Sequence, residues 1–154
     1  MTKVFEGYFT EIQADMVALC LEYSGKVVDD IYIYGSIEPS VVSFNVFYKI
    51  GTELVRTNGI NSILSEQEKI DDSRDKQMSV LKIGVQDLMR IQKLCQDYHR
   101  EVPTEMKIHY DVKQNSMTAD YQYELVHSNT DDKTAGDIFV EWYEKERNKL
   151  NNGD

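Results

Sequence analysis

Positive charge is in short supply in this 154-residue chain: 17 Lys and Arg stand against 27 Asp and Glu, a formal net charge of −10. Phosphate backbones are gripped by clustered Lys and Arg, so no direct binding to nucleic acid is expected, and an acidic surface suits a basic partner. Cysteine is scarcer still, with two residues. Cys20 and Cys95 are far apart and each sits in an apolar helical pattern, which reads as two core thiols rather than a disulfide or a metal pair. No apolar run approaches the roughly 20 residues of a membrane span, and the opening MTKVFEGYFTEIQADM carries acids where a secretory signal would be apolar. A cytoplasmic protein without membrane contact is the expectation.

The glycines occur singly, with neither GxGxxG nor GxxxxGK[ST], so no phosphate-cradling loop is legible. His99, His109 and His127 share no metal-ligand spacing, and no serine has a GxSxG context. No catalytic residue, metal or cofactor is therefore assigned. The nearest approach to enzyme chemistry is Glu105-Met106-Lys107 at the start of a strand, because a strand-borne acid beside a lysine can hold a divalent ion and position water. Ordinary surface ion pairing accounts for the same triplet.

What is present is a regular alternation of amphipathic patterns over one domain, residues 1–154. From Val4 to Tyr23, Phe5, Phe9, Ile12, Met16, Leu19 and Tyr23 recur every three or four residues, the pattern of a helix with one buried stripe, and Gly25 ends it. DDIYIYGSIEPSVVSFNVFYKIGTELVR then reads as a three-stranded antiparallel meander broken at Glu38-Pro39-Ser40 and at Gly51. In it, Ile31 and Ile33 point to one face and Tyr32 and Tyr34 to the other, while Val42, Phe44, Val46 and Tyr48 line the apolar side of the next strand.

Thr57 to Arg74 lacks a sustained period and reads as a long, mobile loop with one short helical turn. A second helix is expected over Asp75 to Arg100, with Met78, Leu81, Val85, Leu88, Ile91 and Cys95 as its stripe, Gly84 marking close packing and Pro103 providing the stop.

EMKIHYDVKQNSMTADYQYEL, residues Glu105 to Leu125, alternates apolar and polar side chains on both sides of a KQNS turn and reads as a hairpin. The apolar set is Met106, Ile108, Tyr110, Val112, Met117, Ala119, Tyr121, Tyr123 and Leu125. A closing helix bears Ile138, Phe139 and Trp142, with Thr134 and Asp137 placed as a loose capping box and acids ahead of bases along its dipole. The fold class is α+β: an antiparallel sheet of about five strands with three main helices, the first two on one face and the last closing an edge or end.

Together the first helix, the Tyr-rich strand leading into VSFNVFYK, the hairpin and the closing DKTAGDIFVEWYEKE resemble the YezG-like immunity proteins of bacterial polymorphic toxin systems. The likeness is closest over residues 103 to 147, and rests most on Asp120, Tyr121, Tyr123 and Trp142. The resemblance implies a cytoplasmic antitoxin that binds the C-terminal toxin domain of a secreted effector, often a nuclease exported by the type VII pathway, with no catalytic residues of its own. The expected docking surface is acidic: Asp111, Asp120 and Glu124 on the hairpin and Asp137, Glu141 and Glu144 on the last helix, with Tyr32, Tyr34 and Tyr143 as aromatic anchors. The partner is then a basic toxin domain, met by a monomer or homodimer. Two other readings are an adaptor or export chaperone, which would bind without inhibiting, and a small metal-dependent hydrolase using Glu105 and Lys107.

Overall fold

A computed structural model describes residues 4–152. The elements run α1 (Phe5–Ser24), β1 (Asp30–Glu38), β2 (Val41–Ile50), β3 (Glu53–Arg56), a 3-10 turn (Ile60–Ser62), α2 (Arg74–Asp97), β4 (Glu105–Asp111), β5 (Ser116–Gln122) and α3 (Ala135–Asn151). The strands form one antiparallel sheet in the order β3-β2-β1-β4-β5, so the α+β class with five strands and three helices holds. Among the described residues no helix is long and apolar enough to cross a membrane.

Local signals set the boundaries. Gly25 closes α1 at φ +71°, a conformation that a Cβ disfavours, and its N–H bonds the Leu21 carbonyl. Ser73 caps α2 through its hydroxyl on the Lys76 amide. Thr134 and Asp137 form a complete capping box on α3. Within the polar segment before α2, the Asn61 amide brackets Ile70, donating to its carbonyl and accepting from its N–H at 2.9 Å each, while Ile60 is wholly buried.

α1 and α2 lie together on one face of the sheet. Ile31, Ile33, Val46 and Ile108 are buried there against Met16, Cys20, Leu88 and Ile91, each fully buried aliphatic side chain contributing about 2 kcal/mol. The Tyr48 hydroxyl also reaches the Cys20 carbonyl at 2.8 Å. Both cysteines are free and buried, and burial pushes both thiols above their ordinary pKa, as expected of core residues. Arg90 joins the two helices by bonding Asp15 and Asp87 at 3.0 Å each.

The buried stripe of α2 is rotated from the expected one. Val80, Gly84 and Asp87 join Leu88, Ile91 and Cys95 inside, whereas Met78 is exposed and Leu81 and Val85 are only partly covered. The cause is Gly84, whose missing side chain lets α2 descend on Phe44: a Cβ there would stand 2.3 Å from the ring. At the hairpin, the strand stops at Gln122, so Tyr123 and Leu125 leave the alternation and are exposed.

A larger correction concerns α3. It does not close an edge or an end; it packs on the second face of the sheet, burying Ala135, Phe139 and Trp142 against Tyr34, Phe47 and Leu54. The physical reason is the second apolar set on β1 and β2: Tyr32, Tyr34 and Phe47 stand opposite the Ile and Val rows, and without a helix above them they would lie in water.

Gly84→Ala should destabilise the fold by about 1–3 kcal/mol despite alanine's better helix propensity, because Phe44 is buried and has little room to retreat. Urea unfolding measures it, and Phe44→Leu placed in the Gly84→Ala background should recover part of the loss; a Gly84→Ala protein as stable as the parent contradicts the packing argument.

Candidate functional site

The polar side chains of the hairpin share the second face with α3. Cross-strand register places His109 and Phe47 on either side of Tyr32, and the three rings stack, with centroids 4.5 Å and 4.6 Å from the tyrosine and planes 6° and 8° from parallel. Trp142 meets Tyr32 edge-on at 5.9 Å and Phe47 at 5.0 Å. Lys107 reaches back over the Trp142 ring at 5.6 Å, and His109 bonds Asp30 at 2.7 Å. α3 thus covers β1 to β3 and leaves β5 and β4 from Lys107 onward open, with Lys107 and the Tyr32–His109 stack along the boundary. His109 is 41% exposed and Lys107 33%, so this boundary is accessible.

The expected contact residues distribute unevenly across this face. Asp120 is exposed on β5 opposite Lys107, and Glu124 is exposed beyond the strand end. Asp111 is half-exposed, holding the Gln114 amide in the turn. On α3, Asp137 is committed to the capping box, Glu141 pairs with Lys133 at 2.9 Å, and Glu144 lies 3.8 Å from Arg147, all on its outer side. The hairpin acids and helix acids therefore form two strips separated by the Lys107–Trp142 boundary.

The tyrosines are more deeply used. Tyr34 is 0% exposed and donates to Glu105 at 2.7 Å, so it offers a partner no surface and leaves the set of anchors. Burial, and then the Glu105 carboxylate, push its phenol well above the ordinary range. Tyr143 is half-buried on Phe47 with its hydroxyl on the Leu54 carbonyl at 3.0 Å. Tyr32 keeps partial exposure at the open boundary.

Glu105 is the buried acceptor of Tyr34 and stands 3.9 Å from Lys107. Among the described residues there is no group of three or more His, Cys, Asp and Glu that could hold a metal ion. No protein-family model matches the chain, and no curated protein matches it.

One polar cluster on this face was not singled out from the sequence. Ser36 Oγ and His127 Nε2 lie 2.9 Å apart, and the Glu38 carboxylate, with no exposed side-chain surface, accepts the amides of Val126, His127 and Ser128. Its parts are about 90 residues apart in the chain, so no spacing could announce it. It ties the β5–α3 connection to the end of β1. Burial alone would raise the Glu38 carboxyl; the hydrogen bonds from Ser128 and Val126 and the charge of His127 outweigh it and leave the pKa below 4.5.

Since the folded pKa is the lower one, the stabilisation is complete above pH 4.5 and is lost as pH falls through the folded value. Glu38→Gln should cost about 2 kcal/mol near neutral pH, with the gap from the parent narrowing as the pH falls below 4.5 and through the lower folded value. Denaturant unfolding across this pH range measures this; a gap independent of pH contradicts the charged-acceptor role.

Proposed function

We propose that this protein is an immunity protein, a cytoplasmic antitoxin that binds the basic toxin domain of a secreted polymorphic toxin, a nuclease, and neutralises it by masking its active site. The observation that carries the reading is the uncovered hairpin face, where Asp120 stands exposed near the half-exposed Tyr32–His109 stack, with Glu124 exposed beyond the strand end and the outer acids of α3 across the Lys107–Trp142 boundary. Carboxylates on a fixed sheet can take the place of substrate phosphates in a basic cleft, and long-range attraction speeds the encounter of oppositely charged partners. An aromatic platform next to them supplies the desolvated contact that holds a complex together. The net charge of −10 and the likeness to YezG-like immunity proteins over residues 103 to 147 point the same way. Inhibition of this kind needs no bond-making groups on the inhibitor.

The test is co-expression with the toxin domain encoded beside this gene. A one-to-one complex that weakens with salt and restores growth is expected, and Asp120→Lys with Glu124→Lys should slow association roughly tenfold with little change in thermal stability. Binding that leaves the toxin active would fit an adaptor instead, and absence of both complex and rescue would sink the pairing.

A further inference from the structure

The two edges of the sheet are not alike. β3 has four residues, and Tyr143 bonds the Leu54 carbonyl on it. β5 has seven residues, Ser116–Gln122, without proline or bulge, and among the described residues no strand pairs with its far side. Such an edge presents alternate N–H and C=O groups as a template for another strand, and native folds normally blunt it. Here it runs seven residues in unbroken register with Asp120 as its one charged side chain.

Two depressions border this edge, between β5 and α1. One, of about 460 Å³, is walled by Phe5, Phe9 and Tyr121 among others; the second, of about 290 Å³, by Ala14, Ala18 and Met117, and Thr10 borders both. Phe9 meets Tyr121 edge-on at 5.8 Å and Gln13 bonds its hydroxyl at 2.6 Å, which seats α1 on the strand at that point. Met117 and Tyr121 are four residues apart, about 13 Å along a strand, and both point to the α1 side. A strand added beside β5 would place two of its side chains at that same spacing and on that same side, level with the two depressions.

Charge selects the occupant. The lining of the larger depression carries Glu6 and Glu101 against one cation, Arg100, which bonds Glu6, and β5 adds Asp120 with Glu124 just beyond it, so the edge and groove are net acidic. A second copy docked edge to edge would bring the acids of two β5 segments together, a like-charge arrangement that opposes pairing.

We propose that the β5 edge and the α1 groove capture one extended segment of a basic partner protein by strand addition, with apolar side chains entering the two depressions and Lys or Arg facing Asp120 on the opposite side. This deepens the immunity reading and rests on it for the identity of the partner as the toxin domain; the strand chemistry stands on the edge, the groove and the charge.

The first arm uses a capped heptapeptide of alternating Lys and Val and reads amide hydrogen exchange by NMR. Exchange within Ser116–Gln122 should slow at least about tenfold at millimolar peptide. A Glu-for-Lys counterpart should have no effect, and Ala14→Trp with Ala18→Trp, both at exposed helix positions, should abolish the response of the Lys peptide. Unchanged β5 exchange, equal protection by the acidic peptide, or protection that rises with protein concentration alone, the mark of a second copy, would overturn the proposal.

The second arm repeats the measurement in the complex with the toxin domain. Protection of β5 that is lost in the double Trp variant supports strand addition. A growth-restoring complex with β5 unprotected overturns strand addition while leaving the immunity reading intact. Docking of the Lys peptide without any toxin complex or rescue supports the edge site and removes the immunity reading alone.

Discussion

Every layer of this protein depends on the burial of β1 from both sides. Eight of the nine residues Asp30–Glu38 are buried and Tyr32 alone is partly open, so the central strand requires a cover on each face. Ile31, Ile33 and Ile37 meet the first cover, α1 and α2, in an aliphatic core. Tyr34, with Phe47 of the neighbouring strand, meets the second, α3, in an aromatic one. α3 spans the second face only over β1 to β3, and the open half of that face is simply the remainder.

The second face also carries the polar groups of β1 that burial makes costly. Tyr34 finds Glu105, Ser36 finds His127, and Glu38 finds three backbone amides of the β5–α3 connection. A buried polar group without a partner costs about 1–3 kcal/mol, and among the described residues no fully buried side-chain nitrogen or oxygen lacks one. These bonds give the connection a defined path and hold the exposed hairpin against a framework that has little freedom to shift. For a protein read as acting by docking, that rigidity lowers the ordering cost at the contact.

Two kinds of surface result, with different physics. The hairpin face and the outer side of α3 offer carboxylates around the Tyr32–His109 stack, suited to attraction over distance. The β5 edge offers main-chain hydrogen bonds beside apolar depressions, suited to short-range register. Asp120 belongs to both, since it stands on β5 and faces the open side.

The local patterns of the chain determined most of the elements. Alternation in DDIYIYGSIE and EMKIHYD, the three-and-four spacing from Phe5 to Tyr23, the stops at Gly25 and Gly51 and the Thr134–Asp137 cap were legible because each depends on neighbours a few residues away. The close approach at Gly84 was legible as well, since an uncompensated glycine in a helix implies contact. The exposure of Asp120 followed from the same alternation, whereas Glu124 lies beyond the strand end and Tyr34 had to be moved from the surface to the interior. Placement of α3 on the second face, the rotation of the α2 stripe about Phe44, the Ser36–Glu38–His127 cluster and the unpaired edge of β5 were decided only by tertiary structure. Each depends on which distant segments meet, and periodicity states how a segment is oriented without stating what lies opposite it.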